Sequence, residues 1–162
     1  MIAFLDIEAS GLGEGSYPIE IGWAFPFASS KNGSFLVKPE PHWTHWSMAS
    51  QDVHGIRREV LDVRGIPVEE GRAIVDRLLS KAEIYVDNPP SDRAWFAGLY
   101  EGLSWRRPEL HDARGLFEAE ALKRRKNLSM VAEQVSRRWR HEHRALPDAR
   151  RLAEIWRALT RF

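Results

Sequence analysis

Apolar residues come in short blocks along this chain, and the blocks change period from strand-like to helix-like as it proceeds. Residues 2–7 (IAFLDI) form a nearly unbroken apolar run, which predicts a short buried strand. Residues 17–27 (YPIEIGWAFPF) and 33–39 (GSFLVKP) predict two more strands, with SSKNG supplying turn chemistry between them. Three strands in succession predict an antiparallel meander. The Trp- and His-rich stretch from Pro39 to Val53 has no clear period and reads as an irregular connection. Residues 67–82 show helical spacing, with Pro67 at the start, Glu69 and Glu70 in the first turn, and Ile74, Val75, Leu78 and Leu79 on one side. Residues 83–88 (EIYVDN) predict a strand that stops at Asn88-Pro89-Pro90. Beyond it, residues 92–103 predict a helix, 109–117 a short strand, and 128–139 and 148–159 two further helices. The order β-β-β-α-β-α-β-α-α defines an α/β domain. Its mixed central sheet has antiparallel first strands and is flanked by helices.

Composition narrows this picture. A chain of 162 residues suits a single domain over 1–162, and 43% hydrophobic with 29% charged residues is a globular rather than a disordered balance. With no cysteine, neither disulfides nor zinc–thiolate sites are available, as expected of a cytoplasmic protein. No apolar run approaches the roughly 20 residues that span a bilayer, so no membrane partner is expected. The N-terminus enters the first strand without a basic leader, unlike a secretion signal. Charge is uneven: residues 1–92 carry 8 Lys/Arg against 14 Asp/Glu, a net −6, and residues 93–162 carry 16 against 9, a net +7. A basic half beside an acidic one suits a polyanion held next to a carboxylate cluster.

Four acids stand out by position. Asp6 and Glu8 sit one residue apart at the end of the first strand, where neighbouring charges repel and burial of either alone is costly. Asp92 follows the strand at 83–88, and Asp148 falls in the first turn of the last helix. Strand ends and helix starts converge around one edge of an α/β sheet, which is where such folds build sites. Carboxylate oxygens suit hard Mg²⁺ or Mn²⁺, and two such ions can clamp the attacking and leaving oxygens of a phosphodiester.

Three stretches then carry a resemblance. DIEASGL resembles the first motif, Asp-x-Glu-x-x-Gly-Leu, of the DEDDh 3′–5′ exonucleases, the group that contains proofreading subunits, oligoribonuclease and RNase T. VDNPPSD is similar to the second motif through Asn88 and Asp92, and HRALPDA to the third, His-x-x-x-x-Asp, through His143 and Asp148. PIEIGWA and DVHGI also resemble family segments. The match runs from about residue 4 to residue 156. It implies an RNase H-like fold and a two-ion site: Asp6 bridging both ions, Glu8 and Asp148 completing the first, Asp92 supporting the second partly through water. It further implies His143 as general base and Leu12 as a wedge against the terminal base. The family often has Thr after the glutamate; Ala9 here removes any hydroxyl contact to substrate. The second motif commonly carries an aromatic before its Asp, where this chain has Ser91.

His143 rather than His141 has the motif spacing to Asp148, so His141 is expected to be a solvated neighbour and His54 structural. Trp43 and Trp46, in the irregular connection, are candidates to stack on bases. The basic clusters 123–126 and 137–144 are equally read as solvated helix faces or phosphate contacts. The expected partner is a single-stranded nucleic acid 3′ end, RNA ahead of DNA because the domain ends about where the last helix stops, at Phe162. A homodimer is also expected. A non-cutting nucleic-acid-binding module and a small-molecule phosphohydrolase are the alternatives.

Overall fold

The computed structural model describes residues 1–103 and 107–161; Phe162, where the last helix was expected to stop, lies outside the described residues. Five strands form one sheet: β1 (Ile2–Ala9), β2 (Pro18–Ala24), β3 (Gly33–Leu36), β4 (Glu83–Val86) and β5 (Leu110–Asp112), in the spatial order β3-β2-β1-β4-β5. The first three are antiparallel, and β4 and β5 join β1 in parallel, so the sheet is mixed as the sequence predicts.

Helices cover both faces. α1 (Met48–His54), α2 (Arg58–Arg64), α3 (Val68–Leu79) and α4 (Pro89–Phe96) follow β3 and β4, while α5 (Ala113–Arg124), α6 (Leu128–Ser136) and α7 (Ala145–Thr160) complete the chain. The two-residue period of β1 splits the core. Ala3, Leu5 and Ile7 pack with Ile19, Ile21 and Trp23 of β2 and with Leu61, Val75 and Phe96 from α2, α3 and α4. Phe4 packs on the opposite face with Ala24, with Phe117 of α5 and with Ala149, Leu152 and Ile155 of α7. Asp6 and Glu8 share the parity of Phe4, and so lie on the α7 face. No helix among the described residues is long and apolar enough to cross a membrane.

Four helices depart from the expectation. α1 and α2 are short and bury only His54 and Leu61 respectively, so neither leaves an apolar period in the sequence. α1 is defined instead by its ends: the Ser47 hydroxyl accepts from Ser50 N–H (3.2 Å), and Gly55 closes it in the left-handed conformation (φ 69°). α5 follows β5 without a break, because Asp112 ends the strand and caps the helix through Arg114 N–H and Gly115 N–H. α7 begins at Ala145, so Pro147 lies inside its first turn, where a missing N–H leaves no intrahelical bond unmade.

α7 lies almost directly on β2. The β2 residues facing it are Glu20, Gly22 and Ala24, and a Cβ on Gly22 would stand 2.3 Å from Leu146 N and 2.4 Å from Ala145 C. Both are backbone atoms and cannot swing aside. Gly22→Ala should therefore destabilise at or above the upper end of the ~1–3 kcal/mol usual for overpacking, read as a lowered denaturant midpoint. An unchanged midpoint would mean that α7 sits further from β2 than described.

Candidate active site

Strand parity and the close approach of α7 bring the motif acids together. One carboxylate oxygen from each of Asp6, Glu8 and Asp148 lies within 4.8 Å of the others. Asp148, 1% exposed, is held by backbone donors: Glu142 N–H to Oδ1 (3.0 Å) and Arg144 N–H to Oδ2 (3.3 Å). Asp92 is 4% exposed at the start of α4, where its Oδ2 accepts from Asn88 N–H (3.1 Å). It stands outside the three-acid cluster, though near enough for its charge to act on Asp6.

This crowding raises the proton affinity of the acids. Burial, and then Glu8, Asp92, Asp148 and Asp87, push the Asp6 carboxyl well above its usual range. Glu8 is pushed up to about 7, first by burial and then by Asp148 and Glu20, with Arg144 opposing. Asp92 rises to about 7, again chiefly by burial, against the pull of Asn88 N–H. Carboxylates that repel one another in a sparingly solvated space are a donor set that a hard divalent cation fits. The residues present thus suit such an ion.

The cleft beside them has a volume of about 470 Å³ and is lined by Glu8, Ala9, Leu12, His45, Trp95 and His143, among others. Between the lining residues Ala9 and Gly11, Ser10 donates its N–H to Tyr17 O (2.9 Å) and its carbonyl accepts from Ser47 N–H (2.8 Å), tying the end of β1 to the start of α1. Ala9 is buried, whereas Leu12 is 76% exposed at the rim. His143 is exposed and left-handed (φ 51°), a conformation that costs a residue with a Cβ roughly 1–2 kcal/mol.

Several sequence expectations need correction. His141 is not merely a solvated neighbour: its Nε2 lies 3.1 Å from Asp148 Oδ2, and its ring centroid is 4.1 Å from that of His143. The bend at left-handed His143 accounts for two histidines sharing one corner. Trp43 is no open platform for a base; it is 8% exposed and stacks on Tyr17 (5.1 Å), because the connection that carries it folds onto the core. Trp46 is half-buried, donates from Nε1 to Gln51 Oε1 (3.1 Å) and meets His54 edge-on (6.3 Å). In the 123–126 cluster, Arg124 and Lys123 pair with Glu120 and Lys126 donates to Ala158 O (2.9 Å), which are structural uses.

Sequence reasoning missed His45 and Trp95, which line the cleft from distant segments, and Glu20, a carboxylate 3% exposed that pairs with Arg144. The only signal for Glu20 was an acid inside an apolar strand. Nothing in the sequence names its partner, 124 residues away.

The fold is similar to that of solved exonucleases. E. coli Exonuclease I in complex with a dT13 oligonucleotide matches with a TM-score of 0.67 at 16% identity, over 98% of this chain and 40% of that one. Apo Exonuclease I matches with a TM-score of 0.69 at 14% identity, over 97% and 41%. A full-length 3′-exonuclease matches with a TM-score of 0.58 at 14% identity, over 96% and 79%. The chain therefore spans about two-fifths of the length of the Exonuclease I structures. No family model matches the chain, and no curated protein matches it. What the comparisons establish is the fold, the RNase H-like α/β architecture expected from the motifs.

Asp6, Glu8 and Asp92 each bind a proton more tightly folded than unfolded. The stability they contribute is complete below the ordinary carboxylate range and is lost as pH rises, through about 7 for Glu8 and Asp92 and above the usual carboxylate range for Asp6. Metal-free protein should accordingly melt lower at about pH 8 than at about pH 5.5, and Asp6→Asn should flatten that slope. Mg²⁺ or Mn²⁺ should raise Tm more at the higher pH. Equal metal-induced shifts at both would show that these carboxylates do not hold the ion.

Proposed function

We propose that this chain is a metal-dependent 3′–5′ exonuclease acting on single-stranded nucleic acid. The observation that supports this reading best is the convergence of Asp6, Glu8 and Asp148 oxygens within 4.8 Å beside a cleft bordered by His143. The fold shared with solved exonucleases supports it independently.

In this reading Asp6, Glu8 and Asp148 would hold one Mg²⁺ or Mn²⁺, and Asp6 with Asp92 would hold a second. Such ions supply charge stabilisation to the phosphodiester as negative charge develops on it. The cleft takes the terminal nucleotide, and Leu12 at its rim packs against the terminal base. His143, exposed beside the cleft, takes a proton from the attacking water. The new bond forms between that water oxygen and the terminal phosphorus. The bond from phosphorus to the 3′ oxygen of the preceding nucleotide breaks, that oxygen takes up a proton from solvent, and a nucleoside 5′-monophosphate leaves. A paired terminus would have to unstack before entering, so a free single-stranded 3′ end is required.

On the sugar, the Exonuclease I complexes hold dT13 and dA16 oligonucleotides, which supports deoxyribose strands as substrates beside the ribose strands expected from sequence. Matched all-ribose and all-deoxyribose oligonucleotides with Mg²⁺ decide this: faster trimming of the deoxyribose strand would overturn the RNA preference. A non-cutting binding module predicts retention without product, and a phosphohydrolase predicts turnover of nucleotides but not oligomers.

Asp6→Asn should abolish Mg²⁺-dependent trimming of a labelled oligonucleotide while leaving the folded spectrum unchanged. Near wild-type activity in that variant would sink the assignment. His143→Ala should slow trimming by roughly 10²–10⁴-fold, the usual range for a general base. His141→Ala should cost less, since its contact is with Asp148 rather than with the open cleft. The reverse order would make His141 the base.

A further inference from the structure

Glu20 lies within β2 on the face covered by α7, and its carboxylate is fully engaged by the segment that carries His143. Arg144 donates to it from Nε (2.9 Å, to Oε2) and Nη2 (2.8 Å, to Oε1), and Ala145 N–H donates to Oε2 (3.0 Å). The two-pronged contact matches the planar fork of arginine to the two carboxylate oxygens and so fixes direction as well as distance. On the other side, Glu142 N–H and Arg144 N–H are bound to Asp148. His143 is thus the one residue of 142–145 whose own groups make none of these bonds, and it is set between neighbours pinned to two buried carboxylates. Its left-handed backbone is a conformation the chain would leave if those neighbours were released.

We propose that Glu20 and Arg144 are positioning residues: the Arg144–Glu20 clamp holds the His143 segment so that its imidazole faces the cleft at Glu8. This rests on the exonuclease reading for its kinetic consequence but not for its structural one. The competing role for Arg144, whose side chain is 44% exposed, is direct contact with a substrate phosphate. The two roles differ in what they demand. A phosphate contact needs a positive charge, which lysine supplies; the clamp needs the fork, which lysine lacks.

The experiment uses the full chain. Removing Arg144 alone would strand a buried carboxylate and could unfold the protein. The principal variant is therefore Glu20→Gln with Arg144→Met, which keeps an acceptor for Ala145 N–H, and Arg144→Lys is its companion. In single-turnover and steady-state trimming of a labelled oligonucleotide with Mg²⁺, both should lose roughly 10–100-fold in kcat, the scale expected of a catalytic group displaced by about 1 Å. KM should stay within about threefold. On a His143→Ala background the same substitutions should cost nothing further, since the residue they position is gone.

A second readout needs neither metal nor turnover. The His143 Cε1–H signal, assigned by its loss in His143→Ala, should be sharp and single in the metal-free wild type. It should broaden or split in the double variant while core methyl signals stay in place. Full rescue by Arg144→Lys, a rise in KM with kcat unchanged, additive loss on the His143→Ala background, or an unchanged His143 signal would each overturn the clamp. Should the wild-type chain give no Mg²⁺-dependent product, the exonuclease reading has failed, and the His143 signal alone then decides whether the clamp exists.

Discussion

The first turn of α7 rests on β2 at a separation only glycine allows, and the site depends on that approach. Gly22 stands opposite Asp6 in the β1–β2 ladder, so the one position without a side chain is also beside the first acid. Moving α7 outward by the width of a methyl group would withdraw Asp148 from Asp6 and Glu8. It would also pull Ala145 N–H and the Arg144 side chain off Glu20. Packing and site geometry are here one constraint, since the backbone contact that closes the core between the sheet and α7 also sets the distance between the carboxylates.

The α7 side of the sheet holds carboxylates of two kinds, the buried Glu20 and the half-buried Asp6 and Glu8. Glu20 is neutralised within the chain: a guanidinium and a backbone N–H satisfy its oxygens, which is the condition under which a buried charge is tolerable. Asp6 and Glu8 are treated differently. Burial and their mutual repulsion raise their proton affinity, and Arg144, which opposes this at Glu8, is already committed to Glu20. This division separates acids that build the domain from acids available for chemistry.

The aromatic residues follow a similar division, decided by the connection between β3 and α1. Trp43 and Trp46 fold inward, and the cleft wall comes instead from His45 and Ser47, which alternate with them in sequence. Ser10 joins this wall to the end of β1 through two backbone bonds. Leu12 and His143 stand exposed on two rims of the cleft, each carried by a short turn between rigid elements, while α1 adds the exposed Ala49 and Val53.

The mixed sheet with its antiparallel first strands, and the four acids singled out as candidates, were readable in the sequence for a local reason. Strand alternation, a Pro-marked strand end and the spacings Asp6–Glu8, Asn88–Asp92 and His143–Asp148 are properties of nearby residues. α1 and α2 were not legible, because each buries one side chain and is defined by its ends rather than by a stripe. The roles of Trp43, His141 and Glu20 were not legible either. Whether a tryptophan faces core or cleft, whether His141 reaches Asp148 past a left-handed His143, and which cation answers Glu20 all turn on contacts between segments far apart in the chain. The sequence alone determined which residues could do chemistry, because residue type and local spacing carry that information. Which of them share a corner, and which are consumed in holding it together, was decided only when α7 packed onto β2.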